Sequence, residues 1–535
     1  MTSSRAELPG ARASSLARLT TVAVAVAAAL DIVLSSHAMA QTANQGDVQN
    51  LQQQLRDLQN QIDQLQQQVE QPVPGPSAAP AAPHSEAEAP SFHAGPVTIT
   101  LNGFVELAVI TRNRNESEDF ASNYNASIPY PNSHNYDLSE FHLSERQSRF
   151  GALAEGPDTG SIHTEAYLET DFGGAGGTAN YNESSSFSPR IRHFYADISD
   201  KDNGMFFLFG QTWSMVTAQK AGLEVRSENI PQTIDAQYVP GFSWLRVAQI
   251  RFVEKFSDKF SAGISLENPA EQVTSNATTG APALNVTYNN PGASNAFTAA
   301  NNSAATNITT DYLPDVIVKV AADPGWGHYE AFALNRWFRS RDITAGAQTN
   351  VKSTGQGYGA NILLPLVPKL VDFQAGVLAG KGVGRYGSAQ LPDATVNPNT
   401  LGLTPLRGLQ ALLGLTFRPV DTLTTFVYAG KEMVDKQYWN VTSGGNAYQY
   451  GYGDPLLVNT GCETEGVGTC AANTSQIVSG TVGGWWKWYS GRLGNAQVGL
   501  TDTYIKREIF AGVGGDPNTN INIVMASFRY YPFQK

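Results

Sequence analysis

Seven arginines lie in or beside runs of residues that alternate between apolar and polar side chains. They are Arg149, Arg190, Arg192, Arg251, Arg336, Arg385 and Arg529. A guanidinium binds a carboxylate or phosphate through two parallel hydrogen bonds and keeps its charge at any accessible pH. Glu165, Glu169 and Glu267 lie on the polar sides of such runs. These groups can therefore form a row of fixed charges that binds small anions, or ion pairs that hold a protein wall rigid.

The sequence contains no arrangement expected of a hydrolase. No GxSxG-type nucleophile elbow occurs, and few histidines fall in or near the alternating runs. Those histidines are His142, His163, His193 and His328. We therefore expect no enzymatic activity, no cofactor and no metal site. The net charge of -12 argues against general nucleic-acid binding.

The two cysteines, Cys462 and Cys470, lie close together in a stretch rich in glycine, threonine and glutamate. In an oxidising compartment they would bridge a loop, and a disulfide is the favoured interpretation. Two unrelated thiols are the alternative. No histidine lies nearby to complete a metal site.

The alternating runs predict β-strands long enough to cross a bilayer. In residues 97–110 the odd positions carry apolar side chains or glycine, and most even positions are polar. Strands of soluble sandwiches usually span about five or six residues, whereas a tilted membrane strand needs about ten. Residues 161–171 and 259–267 repeat the pattern. We expect the apolar sides to face lipid and the polar sides to face a lumen.

We predict sixteen strands, which makes the expected fold an all-β transmembrane barrel of about 16 antiparallel strands over residues 96–535. The segments lie near 97–111, 144–155, 161–172, 190–199, 204–213, 244–254, 259–267, 313–322, 326–338, 354–366, 371–383, 405–418, 423–433, 476–489, 494–508 and 520–533. Short turns alternate with long polar connections, as in outer-membrane barrels. The long connections, including 112–143 and 384–404, are expected to be external loops.

Three segments are predicted ahead of the barrel. Residues 1–40 are typical of a signal peptide, with arginines before an apolar run and Ala38-Met39-Ala40 at its end. Residues 41–71 carry apolar side chains alternately three and four apart, which predicts a short periplasmic coiled-coil helix. A disordered glutamine-rich tether is the alternative. Residues 72–95 form a Pro/Ala-rich linker.

The connection after the fifth predicted strand, residues 215–243, carries Glu224, Arg226, Glu228 and Asp235. In general porins this loop folds into the lumen and narrows it, and we expect the same here. An outward-facing surface loop is the alternative.

Seven tryptophans near predicted strand ends could form girdles at the two membrane interfaces, or could line a passage for sugars. They are Trp213, Trp244, Trp326, Trp337, Trp485, Trp486 and Trp488. The direction in which each points would separate these interpretations.

Several short motifs occur in order along the predicted barrel. They are RQSRFG at 146–151, PRIRH at 189–193, FGQTWS at 209–214, AQIRF at 248–252, SLENP at 265–269 and GKGVGRY at 380–386. With the heptads upstream, the chain resembles the DcaP-like porins over nearly all of residues 41–535. That family consists of trimeric sixteen-stranded outer-membrane barrels with an N-terminal periplasmic coiled coil. One departure is that Phe533 is followed by Gln534 and Lys535, whereas such barrels usually end on an aromatic residue.

The resemblance implies a homotrimer in the bacterial outer membrane, held together through the barrel wall and the coiled coil. Its partners would be membrane lipid, lipopolysaccharide and small anionic or polar solutes, and no nucleic acid. It implies passive diffusion of small polar solutes, with organic anions such as dicarboxylates favoured. A sugar-preferring porin, and a structural tether or adhesin with a closed lumen, are the alternatives.

Overall fold

The computed structural model of the chain describes residues 90–116, 118–120, 124–174, 183–288, 309–471 and 473–534. The predicted signal peptide, the coiled coil and residues 72–89 of the predicted linker lie outside these residues and stay predictions, whereas residues 90–95, also predicted as linker, are described and include a short strand, Ser91–Ala94. Among the described residues, no helix is long and apolar enough to cross a bilayer.

Sixteen strands form a closed antiparallel barrel, and each corresponds to one predicted segment. They are β1 Val97–Arg112, β2 in two parts (Glu140–Ser144 and Arg149–Glu155), β3 Ile162–Asp171, β4 Arg190–Asp200, β5 Met205–Trp213, β6 Arg246–Ser257, β7 Phe260–Glu267, β8 Asp315–Ala322, β9 His328–Asp342, β10 Thr349–Val367, β11 Val371–Lys381, β12 Arg407–Val420, β13 Leu423–Val434, β14 Thr474–Gly491, β15 Gly494–Ile509 and β16 Asn518–Tyr531. Each strand pairs with its neighbours in sequence, and β16 returns to pair with β1. The predicted fold class is confirmed for the barrel.

The period of two sorts side chains between the two surfaces of the barrel, as predicted. In β1, Val105 is 63% exposed on the outside whereas the neighbouring Glu106 and Ala108 are buried. In β7, Phe260, Ile264 and Leu266 point outward, and the serines and Glu267 between them are buried. The outer surface is therefore an apolar belt suited to lipid, and the polar groups lie inside.

The barrel closes along a seam in which β1 has two partners on one side. Residues 105–112 of β1 pair with β16. Residues 97–100 pair instead with a short strand, Ser91–Ala94, which turns back at Gly95 with a φ of 64°. On the other side, β2 interrupts its pairing between its two parts, where the Ser148 hydroxyl bonds the backbone N–H and C=O of Glu106 at 2.9 and 3.2 Å.

The long connections contain the remaining elements. They are a helical turn at Tyr124–Ser127, 3-10 turns at Ala236–Tyr238 and Gly384–Tyr386, and short strands at Asn276–Ala277, Val286–Thr287, Ala394–Val396, Leu403–Pro405, Gln437–Ser443 and Asn446–Tyr452. In the connection between β13 and β14, Cys462 and Cys470 form a disulfide.

The largest apolar cluster lies inside the barrel and not between two sheets. Ile234, Tyr238 and Phe242 from the β5–β6 connection pack with wall residues of β13 to β16. Tyr124 and Leu391 join the same cluster from connections that we expected to be external loops. That expectation is corrected for these segments, whose apolar side chains are buried within the barrel.

Candidate solute site in the lumen

The connection between β5 and β6, residues 214–245, lies inside the barrel and contacts its far wall. The Gln232 backbone N–H donates to the Tyr428 hydroxyl at 3.0 Å, and the Trp485 indole N–H donates to the Gln232 carbonyl at 2.7 Å. The Gly241 N–H donates to a Glu432 carboxylate oxygen at 2.8 Å. We call residues 214–245 the lumen loop. Its inward course matches the prediction, and the alternative of an outward-facing loop does not fit these contacts.

The lumen loop lies against the wall at a position where only glycine fits. A Cβ added at Gly430 of β13 would lie 2.0 Å from the carbonyl oxygen of Pro240 in the loop. Real Cβ atoms do not approach an oxygen this closely. The glycine therefore lets the backbone of the loop contact the backbone of the wall.

Buried charged groups hold the start of the lumen loop. The Lys319 ammonium lies 2.8 Å from a Glu330 oxygen and donates to the Met215 and Thr217 carbonyls, each at 2.9 Å. Arg251 donates to the Trp213 carbonyl at 2.7 Å, and a Glu267 oxygen accepts from the Met215 N–H at 2.8 Å. Arg251 and Glu267 therefore position the loop.

A second buried network fixes the connection between β11 and β12. The Arg336 guanidinium lies 3.1 Å from Asp315 and 2.7 Å from Asp393, and Arg385 lies 3.4 Å from Asp315. The sequence predicts that Arg251, Arg336, Arg385 and Glu267 line the pore. All four are buried against loop backbone, and their contacts match the other interpretation, ion pairs and hydrogen bonds that hold the wall and loops.

The four charged residues expected in the constriction have separate environments. Glu224 is exposed, while Arg226 has a φ of 64° and forms an ion pair with Glu165 of β3. Glu228 is buried, which raises the pKa of its carboxyl. The Asp235 side chain accepts from the Gln237 N–H at 3.0 Å and caps a 3-10 turn. These four side chains therefore do not meet in a single charged constriction.

A cavity of about 270 Å³ lies between residues 230–236 of the lumen loop and the wall. Three of the predicted arginines line it, and among the described residues no aspartate or glutamate does. The lining side chains from the wall and the ends of the loop are Gln147, Arg149, Arg192, Trp213, Trp244, Thr424, Trp485, Gln497, Arg529 and Tyr531. We call this space the arginine cavity.

The three arginines differ in how far carboxylates outside the cavity neutralise them. Arg192 lies 2.6 Å from Glu169 and 2.8 Å from Asp171, and Arg529 lies 2.9 Å from Glu106. The nearest carboxylate to Arg149 is Glu169, at 3.9 Å. The Arg149 Nε has no hydrogen-bond partner. Arg149 therefore has the most capacity to bind another anion.

Arg190 and Glu165, also predicted to line the pore, lie outside the lining of the arginine cavity. Arg190 binds Asp171 through two hydrogen bonds of 2.9 and 2.7 Å. Glu165 pairs with Arg226 and with His163. The structure thus brings together Arg149, Arg192, Arg529 and Glu169 of the predicted set, with Glu169 behind the cavity wall.

No family model and no curated protein matches the sequence. Among solved structures, the outer-membrane channel DcaP of Acinetobacter baumannii superposes with a TM-score of 0.56 at 16% identity, covering 83% of this chain and all of that one. The chain has a porin fold. The outer-membrane protein OmpT of Vibrio cholerae gives a TM-score of 0.43 at 10% identity, over 83% of this chain and 100% of its own. An anion-selective porin from Comamonas acidovorans gives 0.43 at 10%, over 81% and 99%. The expected likeness to DcaP-like porins is confirmed at the level of the fold.

Five of the seven tryptophans named above fall into two groups in this porin fold, and the other two, Trp337 and Trp486, are half-buried. Trp326 is 66% exposed and Trp488 is 55% exposed, as expected of an interfacial girdle. Trp213, Trp244 and Trp485 line the arginine cavity instead, so the girdle interpretation is wrong for these three. Only the direction of each ring separates the groups, and single-sequence patterns at strand ends do not determine it.

Arg246 is a basic residue of the porin lumen that our sequence reasoning did not select. Its guanidinium carbon lies 4.6 Å from the Trp213 ring centre and 5.1 Å from that of Trp244. Such stacking on aromatic faces is favourable for arginine. The available signal was its position two residues after Trp244 at the start of a predicted strand. Gln147 and Gln497, which also line the cavity, carry no charge and gave no signal.

Proposed function

We propose that the protein is a bacterial outer-membrane channel for passive diffusion of small polar solutes, and that it favours small organic anions such as dicarboxylates. The observation that carries this proposal is the lining of the arginine cavity, with three guanidinium groups and no carboxylate among the described residues. Fixed positive charges in a narrow, partly desolvated passage attract anions and exclude cations. Transport needs no catalytic group, and we propose no enzymatic activity.

The positions of two of the arginines favour a short dianion. The guanidinium carbons of Arg149 and Arg529 lie 5.2 and 4.7 Å from the ring centre of Phe104. They are therefore at most 5.2 + 4.7 = 9.9 Å apart. A short dicarboxylate can place one carboxylate on each group at the same time. Because each guanidinium can bind a carboxylate bidentately, the two contacts reinforce each other.

The proposal is tested by reversal potentials across planar bilayers under a salt gradient. At 4 Å and the dielectric constant of water, one charge contributes about 1 kcal/mol, or about fivefold in equilibrium. We expect Arg149→Gln to lower the anion/cation permeability ratio by about that factor. Arg492→Gln, which removes an exposed charge in a short turn, is the matched control and should change the ratio little. Equal ratios in wild type and Arg149→Gln would contradict the assignment.

A sugar-preferring channel is the second candidate, because Trp213, Trp244 and Trp485 line the same cavity. Liposome swelling with dicarboxylates, phosphate, neutral sugars and cations separates the two. Faster swelling with sugars than with dicarboxylates, and its loss in Trp485→Ala, would favour the sugar channel. No swelling with any solute would favour a tether or adhesin with a closed lumen.

We also propose that the chain forms a homotrimer in the outer membrane, through its barrel wall and N-terminal coiled coil, surrounded by lipid and lipopolysaccharide. The resemblance to DcaP-like porins and the exposed apolar belt support this. The mass of the full chain in detergent, with and without residues 41–71, tests both the number of subunits and the contribution of the coiled coil.

A further inference from the structure

A second cluster of charged residues lies at the end of the barrel that carries the short turns. Glu155 of β2 is paired in register with Glu165 of β3, and His163 precedes Glu165 by two residues on the same face. One ligand atom from each of the three side chains lies within 4.8 Å of the others. The His163 Nε2 is 3.1 Å from a Glu165 oxygen. None of these residues lines the arginine cavity.

The imidazole of His163 is held in the orientation that metal-binding histidines adopt. Asp158, in the turn between β2 and β3, has an oxygen 2.6 Å from the His163 Nδ1. A carboxylate that accepts the N–H of one ring nitrogen leaves the other nitrogen aimed at its ligand. Here the other nitrogen, Nε2, points at the carboxylates of the cluster.

The cluster has more carboxylates than cations. Asp197 of β4 is paired in register with Glu165, and its Oδ2 is buried without a hydrogen-bond partner. Within the described part of the chain, the Glu155 side chain forms no hydrogen bond or ion pair either, although its backbone is paired in the sheet. Arg226 binds Glu165, and Lys201 lies 3.0 Å from Asp158. Four carboxylates therefore face two permanent cations, Arg226 and Lys201, and an unpaired buried carboxylate is costly.

The chain contains a second copy of the same local arrangement, and in that copy a buried lysine pairs with the glutamate. Asp323, His328 and Glu330 repeat the spacing of Asp158, His163 and Glu165. The Asp323 and Glu330 oxygens lie 2.7 and 3.1 Å from the two nitrogens of His328.

The two copies differ in what faces the glutamate. The Lys319 ammonium lies 2.8 Å from Glu330, and the residue paired with Glu330 across the sheet is Ala321. At the first copy the residue paired with Glu165 is a third acid, Glu155. The first copy therefore has an additional acidic side chain where the second has none, and its glutamate pairs with the partly exposed Arg226 in place of a buried lysine.

We propose that Glu155, His163 and Glu165 bind a divalent metal ion, with Zn²⁺ the best match, and that Asp158 orients His163. One imidazole nitrogen with carboxylate oxygens suits Zn²⁺, whereas Mg²⁺ and Ca²⁺ prefer oxygen alone. Ligands about 2.0–2.1 Å from a tetrahedral ion are about 3.3 Å apart. The 3.1 Å between His163 and Glu165 is close to that spacing. This site goes beyond the proposed channel function and does not depend on it.

The test uses the full chain in detergent after treatment with a chelator. Titration with Zn²⁺ by calorimetry, and with Co²⁺ by visible absorption, should reveal one site per chain with tetrahedral character. His163→Gln and Glu155→Gln should each weaken binding at least tenfold, and Asp158→Asn should weaken it by about 10–100-fold. His328→Gln is the matched control and should leave this binding unchanged. Heat-modifiable mobility in gels shows whether each variant has formed its barrel.

Three results would overturn the metal site. The first is wild-type binding that persists at full strength in both His163→Gln and Glu155→Gln. The second is no saturable binding of either ion to folded wild-type protein. Loss of binding in His328→Gln but not in His163→Gln would also contradict it, because the copy neutralised by lysine would then be the site.

Discussion

Lys319→Met tests how the lumen loop is held in place. The ammonium of Lys319 is fully buried and bonds Glu330 and the carbonyls of Met215 and Thr217 at 2.8 to 2.9 Å. Methionine fills a similar volume but donates no hydrogen bond. The substitution leaves Glu330 buried without its cation and leaves two loop carbonyls without their donor.

Breaking one side of a buried ion pair costs about 3–5 kcal/mol. Glu330 keeps the Gln219 N–H at 3.0 Å, the Asn361 amide at 2.8 Å and the His328 ring at 3.1 Å, so the lower end of that range applies. We therefore expect the free energy of unfolding to fall by about 3 kcal/mol. Because the lost bonds also hold the start of the lumen loop, the open-channel current should fluctuate more than in the wild type.

Urea titration in detergent micelles measures the first effect, and single-channel recording measures the second. Lys255→Met is the control, since Lys255 forms an exposed pair with Asp258 at 3.1 Å, and exposed pairs contribute about 0–1 kcal/mol. The double variant Lys319→Met with Glu330→Gln should recover part of the stability. A loss below about 1 kcal/mol in Lys319→Met, with unchanged current noise, would refute the assigned role of the pair.

Three further predictions concern the loops and their contacts with the barrel wall. Replacing Cys462 and Cys470 by serine should lower the local stability of their loop by about 2–3 kcal/mol, seen as faster limited proteolysis, with the barrel's unfolding midpoint unchanged. Gly430→Ala should destabilise the protein by about 1–3 kcal/mol in urea titrations, whereas Gly480→Ala, whose Cβ meets open space, should have little effect. Burial and the neighbouring Asp311 carboxylate raise the pKa of Glu271. Its loop should therefore be most stable at low pH and become steadily more sensitive to protease as pH rises from the ordinary glutamate value to that raised value, and Glu271→Gln should remove this dependence.

The sixteen strands could be predicted because their signal is local. A period of two over about ten residues shows which side of a strand faces lipid. The structure follows this alternation, since Val105 is exposed on the outside of the barrel and the adjacent Glu106 is buried. Strand ends were also visible, since glycine, proline and asparagine mark the turns. Predicting the strands and their ends required no knowledge of which residues meet across the lumen.

The partners of the arginines could not be predicted, because they depend on contacts between distant parts of the chain. Arg336 binds Asp393, 57 residues away, through a loop that enters the barrel. Tyr124 contacts Ser388, 264 residues away, at 2.7 Å. A loop rich in small and polar residues looks the same in sequence whether it lies outside the barrel or inside it. The sequence therefore indicated that the arginines face inward, but not which ones reach a cavity.

The seam between β1 and β16 has a consequence for the order of folding. Arg529 and Glu106, which pair across it, are 423 residues apart in the chain. Contacts of such long range form slowly and late, since a large loop must first be closed. Until the last strand arrives, two sheet edges with unpaired amides and carbonyls remain, and hydrocarbon cannot satisfy them. Insertion must therefore either wait for the C-terminus or proceed on a chaperone that covers both edges.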